Sequence, residues 1–186
     1  MGQEEKNIEH LIEKILDILN PSWGSDPDMR ETPNRVARMY LHFFRDCTDE
    51  ELDEQINKVF PTKNDQMVIQ KNIECFGLCP HHLLPIVYKV HIGYLPDGWA
   101  IGLSKLPRLA TMLSSYPKLQ ENFTHEIADT LEHKLKPAGI MVVVEGLHGC
   151  IRCRGVEQDS VTITSDCRGL LRLNSDARHE LLSLIK

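Results

Sequence analysis

The sequence predicts an α+β protein: an antiparallel sheet with a helix pair on one face, preceded by an N-terminal helical segment. Three observations carry this. Helical periodicity recurs in two stretches before residue 46, alternating and β-branched runs appear only after residue 63, and two strand-like runs stand on each side of a pair of helical patterns. Strands grouped around helices, rather than alternating with them, argue for antiparallel pairing over a doubly wound sheet. The expected division is residues 1–62 as a helical segment and 63–186 as the domain carrying the sheet.

Residues 4–19 place Ile8, Leu11, Ile12, Ile15, Leu16 and Leu19 on one helical face. The turn-rich "NPSWGSDPD" ends that helix. In "ETPNRVARMYLHFF", Thr32 suits an N-cap and Pro33 the first helical position, with Val36, Met39, Tyr40, Phe43 and Phe44 as the apolar stripe. Arg35, Arg38, His42 and Arg45 recur on a neighbouring face. "DEELDEQINKVF" reads as a short helix and "PTKND" as a loop. "QMVIQKNIECF" and "IVYKVHIGYL" read as strands, and "PDGW" as a turn. "SKLPRLATMLSSY" and "KLQENFTHEIADTLEHKL" read as helices, the second with Leu119, Phe123, Ile127, Leu131 and Leu135 in steps of four. "PAGIMVVVEGLH" and "SVTITSDC" are the last two strands, and "SDARHELLSLI" is a closing helix. A four-stranded sheet of this kind leaves edges that a second subunit can pair, so a homo-oligomer is expected.

Composition is that of a soluble globular chain, with 41% hydrophobic and 26% charged residues. No apolar run reaches the roughly 18 residues of a membrane span. The polar start "MGQEEKNIEH" is unlike a secretory signal, and Lys6 stands where a myristoylation signal has Ser or Thr. A cytoplasmic protein is expected. The net charge of −6 argues against nucleic acid as a partner, so an anionic ligand needs a local basic patch. Six cysteines without a secretion signal point to thiols or metal ligands rather than disulfides.

The chemistry concentrates in "CPHHLLP" and "HGCIRC". Thiolate and imidazole are the ligands zinc favours, and three readings stand open. Cys75, Cys79, Cys150 and Cys153 close a structural four-cysteine site. Alternatively Cys79, His82 and Cys150 bind zinc and leave a fourth position open to water, with His81 and His148 flanking as acid and base. The third reading is buried thiols without metal. Lys105 and Arg108 near a helix start that carries Ser104, together with Arg154, Arg35 and Arg38, suit a polyphosphate. An amide beside a carboxylate, Gln120 and Glu121, can meet the donor edge of a guanine. Each basic residue also has an ordinary reading as a solvated surface charge, and Gln-Glu pairs are common on helix surfaces.

The stretches "ETPNRVARMY", "CPHHLLP", "VHIGYLP", "IGLSKLPRLA", "LQENFT", "HGCIRCRGV" and "TSDCRGLL…ARHELLSLI" together resemble GTP cyclohydrolase I, from about residue 8 to the C-terminus. The resemblance implies a T-fold subunit in a toroidal homodecamer with active sites between subunits. It implies conversion of GTP and water to 7,8-dihydroneopterin triphosphate and formate. Carried onto this chain, it makes Cys79, His82 and Cys150 the zinc ligands and His81 and His148 the catalytic histidines. Gln120 and Glu121 then match guanine recognition, Ser104 and Lys105 ribose and phosphate contacts, and Arg108 and Arg154 phosphate contacts. Arg35 and Arg38 match the basic helix of a neighbouring subunit. Cys75 and Cys153 become bystanders. Pro80 departs from the family's usual Cys-Glu-His-His, and "SSYPKLQE" from its arginine-rich approach to the Gln-Glu pair. Two other readings stand beside this one: a divergent paralogue acting on another purine nucleotide or stopping at the ring-opened formamide, and a non-catalytic, zinc-stabilised purine-nucleotide-binding module.

Overall fold

In the computed structural model, which describes residues 2–186, the first periodic segment becomes α1 (Gln3–Leu19) and the second α2 (Thr32–Phe43). Helix α2 starts at Thr32 itself, with Glu31 as the N-cap and Pro33 in the first turn, one residue earlier than the capping pattern suggested. The two helices form a unit, Met1–Arg45, in which Asn34 is buried. Arg38 Nε donates to Asn34 Oδ1 at 2.9 Å and pairs with Glu5 at 3.4 Å. Part of the basic stripe is therefore tied to α1, while Arg35 is exposed.

The second unit, Asp46–Lys186, contains everything else. It begins with α3 (Asp49–Ile56), whose start is fixed by a capping box: Thr48 accepts from Glu51 N–H while the Glu51 carboxylate accepts from Thr48 N–H. Strand β1 (Val59–Pro61) pairs with β4 (Trp99–Ile101) as a small separate ribbon, so the expected "PDGW" turn ends in a strand. Strands β2 (Val68–Leu78), β3 (Pro85–Leu95), β5 (Gly139–His148) and β6 (Thr162–Gly169) make an antiparallel sheet in the order β2-β3-β5-β6. Its register shifts between Gln70 and Ile73, where Asn72 takes φ +59°.

Helices α4 (Lys105–Ser114) and α5 (Gln120–Leu135) cover one face of the sheet, as expected. Leu106, Leu109, Phe123, Ile127 and Leu131 meet Tyr88, Val90, Ile92, Val142 and Val144 in the main core. Leu119 does not join them. It is 44% exposed at the N-cap of α5, because the buried stripe advances by three and four residues rather than by four alone. The other face carries a second cluster, Met141, Val143, Leu171 and Leu181, under the short α7 (Leu170–Leu173) and α8 (Ser175–Ile185). Along β6, Arg168 bonds Asp166, Asp129 and Glu132, clamping that strand to α5. No helix among the described residues is long and apolar enough to cross a membrane.

Candidate active site

The site is built where β2 and β5 end and β3 begins. Strand β2 runs into the loop 79–84, and β5 runs into the single turn α6 (Gly149–Arg152). The register sets Ile86 of β3 opposite His148, so the loop before β3 and the turn after β5 are neighbours. Gly149 makes the approach possible: a Cβ there would sit 2.8 Å from Pro85 O.

The loop folds back on itself. Cys79 N–H donates to Leu84 O at 2.9 Å, and both His82 N–H and Leu83 N–H donate to Cys79 O, at 3.4 Å and 2.8 Å. Pro80 is the second residue of the turn from Cys79 to His82. Proline's fixed φ suits that position, and no N–H is required of it there. Proline at this position therefore has a physical account on the backbone. Leu83 completes the return at φ +53°.

This places Cys79, His82 and Cys150 with their ligand atoms all within 4.8 Å of one another. Among the described residues it is the one group of three or more His, Cys, Asp or Glu side chains so arranged. Cys79 Sγ lies 3.8 Å from His82 Nδ1. A tetrahedral centre with the usual zinc bond lengths sets sulfur and nitrogen roughly 3.5 Å apart, so this pair is close to zinc spacing and the whole donor set fits zinc in its chemistry. Cys79 is buried, Cys150 half-buried and His82 exposed, which leaves one side open. Burial, together with hydrogen bonding to Cys79, raises the Cys150 thiol, while Arg154 opposes the rise. The two remaining cysteines go elsewhere. Cys75 is buried in the core and its thiol is pushed up to about 12 by burial, and Cys153 donates to Gly149 O at 2.8 Å. The four-cysteine arrangement does not form.

His81 stands beside the trio, exposed, its Nδ1 3.9 Å from Cys79 Sγ. His148 is half-buried, edge-on to the Tyr88 ring at 6.4 Å, and its Nε2 lies 2.7 Å from Gln120 Oε1. Burial lowers the His148 pKa, with the Glu121 carboxylate opposing, so the ring is neutral at pH 7 and able to accept a proton. The adjacent Gln120 and Glu121 take opposite directions. Gln120 is 3% exposed and points into the sheet, whereas Glu121 is exposed in the first turn of α5.

Ser104 is the exposed N-cap of α4, and its hydroxyl makes no capping bond. Lys105 follows it, half-buried, and Arg108 Nη1 donates to Gln55 of α3 at 3.4 Å. Arg154 is exposed beyond α6. Among the described residues no hydrogen bond joins Ser104, Lys105 or Arg108 to the cysteine–histidine trio. Sequence reasoning missed Tyr88, Thr124, Thr164 and Gly146, which support His148 and Gln120. Thr124 had a usable signal, since it lies one residue beyond Phe123 on the inward face of α5.

A family model described as GTP cyclohydrolase I matches residues 8–186. GTP cyclohydrolase 1 of Pelotomaculum thermopropionicum is 42% identical over 183 residues, covering 96% of this chain and 97% of the relative. That of Streptococcus agalactiae is 40% identical over 191 residues, covering 100% and 99%. Among solved structures, the archaeosine synthase QueF-Like in its apo form aligns with 56% of this chain and 96% of its own, at a TM-score of 0.44 and 14% identity.

Proposed function

The chain belongs to the GTP cyclohydrolase I family, and on that premise we propose which of its residues do the work. The enzyme converts GTP and water to 7,8-dihydroneopterin triphosphate and formate. Cys79, His82 and Cys150 hold zinc, which when bound supplies Lewis-acid activation for the hydrolytic opening of the purine. The observation that carries this reading is that trio, open on one side and flanked by His81 and His148. A structural zinc has no use for two flanking histidines.

His148, neutral and held from behind, accepts and returns a proton at the ribose side of the substrate. His81, exposed on the loop, donates to the purine nitrogen released as the ring opens. Glu121 presents two carboxylate oxygens, enough to accept from both N1–H and the 2-amino group of guanine. Ser104 and Lys105 meet the ribose and phosphates, and Arg108 and Arg154 the triphosphate, with Arg35 and Arg38 supplied by a neighbouring subunit. The assembly is the family's T-fold homodecamer in the cytoplasm. The unpaired edges of β2 and β6 suit such an assembly.

The test is product stoichiometry. Zinc-loaded protein is incubated with GTP, formate is quantified, and neopterin is measured by fluorescence after oxidation and phosphatase treatment. Equal amounts of both are expected. Formate without neopterin would mean a reaction that stops after deformylation, and neither product would mean another nucleotide or a binding module.

A further inference from the structure

We infer that Gln120 is a positioning residue for His148 and not a reader of guanine; the inference rests on the cyclohydrolase reading for the reaction it affects. The side chain is 3% exposed, and both the nitrogen and the oxygen of its amide are engaged inside the protein. Its Nε2 has two protons for three acceptors, Val144 O at 3.0 Å, Thr162 O at 3.0 Å and Thr164 Oγ1 at 3.2 Å, so one proton is shared between two of them. Two of these acceptors are backbone carbonyls, which cannot donate, so the amide has one orientation. Its Oε1 is therefore the atom turned to His148 Nε2, 2.7 Å away. A carbonyl oxygen only accepts, so His148 donates from Nε2. In the neutral ring that leaves Nδ1 with the free lone pair.

The hydroxyls behind the amide close a ring of bonds. Thr124 Oγ1 donates to Gln120 O at 2.8 Å. Its one proton is then used, so Thr164 is the donor in the 2.6 Å contact between the two hydroxyls. Thr164 accepts from Gln120 in turn. The chain of bonds thus runs from the backbone of β5 and β6, through Gln120, to the imidazole. Such a second layer orients a catalytic ring.

Gly146 supplies an independent sign. A Cβ on this residue would fall 2.1 Å from Gln120 Oε1 and 3.0 Å from His148 Nε2. The space that glycine leaves is the space this hydrogen bond occupies. In Gly146→Ala the Gln120 amide oxygen, the atom nearest the new Cβ, is displaced from its place against His148. The variant breaks the contact without removing either partner.

The experiment compares Gln120→Leu, Gly146→Ala and Glu121→Gln. Steady-state kinetics are run with GTP and with inosine triphosphate, which lacks the 2-amino group. The Kd for GTP is measured by calorimetry on metal-stripped protein. Gln120→Leu and Gly146→Ala are expected to lower kcat about 10- to 100-fold, the range for outer-layer partners of active-site groups. Their KM and Kd for GTP stay within about twofold of wild type, because the binding energy comes from elsewhere. Their preference for GTP over inosine triphosphate is unchanged, and Glu121→Gln alone erodes it. An unchanged kcat in both variants overturns the inference. So does a Kd weakened about tenfold by Gln120→Leu, the cost of one lost polar contact. Failure of the cyclohydrolase reading shows separately, as wild-type protein that releases no formate, and the Kd comparison then still decides the role of Gln120.

Discussion

Cys150→Ser is expected to strip the protein of zinc and to lower formate release from GTP by more than about 100-fold, beyond the usual cost of disturbing a ligand's outer support. Cys153→Ser is expected to keep both metal and activity. The two residues sit three apart on one short turn, and only one of them turns toward Cys79 and His82. Serine at 150 puts a hard, poorly ionised oxygen where a soft thiolate is needed, and two remaining ligands are too few to hold the metal. The Cys153 thiol donates to the Gly149 carbonyl within its own turn. Its loss costs one surface hydrogen bond. Metal content by elemental analysis, alongside the formate assay, reads both effects. Loss of zinc in Cys153→Ser would restore the four-cysteine reading.

Phe123→Ala is expected to cost about 3–5 kcal/mol of stability, a large share of the roughly 5–15 kcal/mol of an ordinary domain. The ring is fully buried in α5, tilted against Tyr88 with centroids 4.8 Å apart. It lies one turn from Gln120 on the same helix face, and Tyr88 in turn abuts His148. Truncating it opens a cavity between the helix and the sheet, directly beneath the start of α5. Denaturant unfolding should show the midpoint fall with the slope unchanged. A cost below about 1 kcal/mol would mean that the site relaxes to fill the space, contrary to interiors that are close-packed.

How far the site could be read in advance differs from residue to residue, for physical reasons. The trio was legible because zinc chemistry constrains both residue type and local spacing. Even so, "CFGLCPHH" and "HGCIRC" allowed a four-cysteine solution until the backbone directed Cys75 into the core and Cys153 away. Strand β5 was legible from its β-branched run, and α5 from its apolar stripe. The inward turn of Gln120 was not read, although the stripe Phe123, Ile127 and Leu131 extends back onto it at helical spacing. Beginning that stripe at Leu119 put the phase one residue out, and with it the two members of the Gln-Glu pair looked alike. Consecutive helical residues differ by about 100° in direction, so one of them had to face the core. The β1–β4 ribbon left no signal, since three-residue strands carry too few side chains for a period to appear. Arg35 and Arg38 belong to the other compact unit, apart from the one that carries the trio.

Zinc K-edge X-ray absorption on the zinc-loaded wild-type protein tests the central claim, a three-ligand centre with an open position, most directly. The account predicts a first shell of two sulfurs, from Cys79 and Cys150, completed by nitrogen or oxygen from His82 and solvent, with the light-atom part changing when GTP is added. A shell of four sulfurs that ignores GTP would contradict it, and would make the metal a structural clasp.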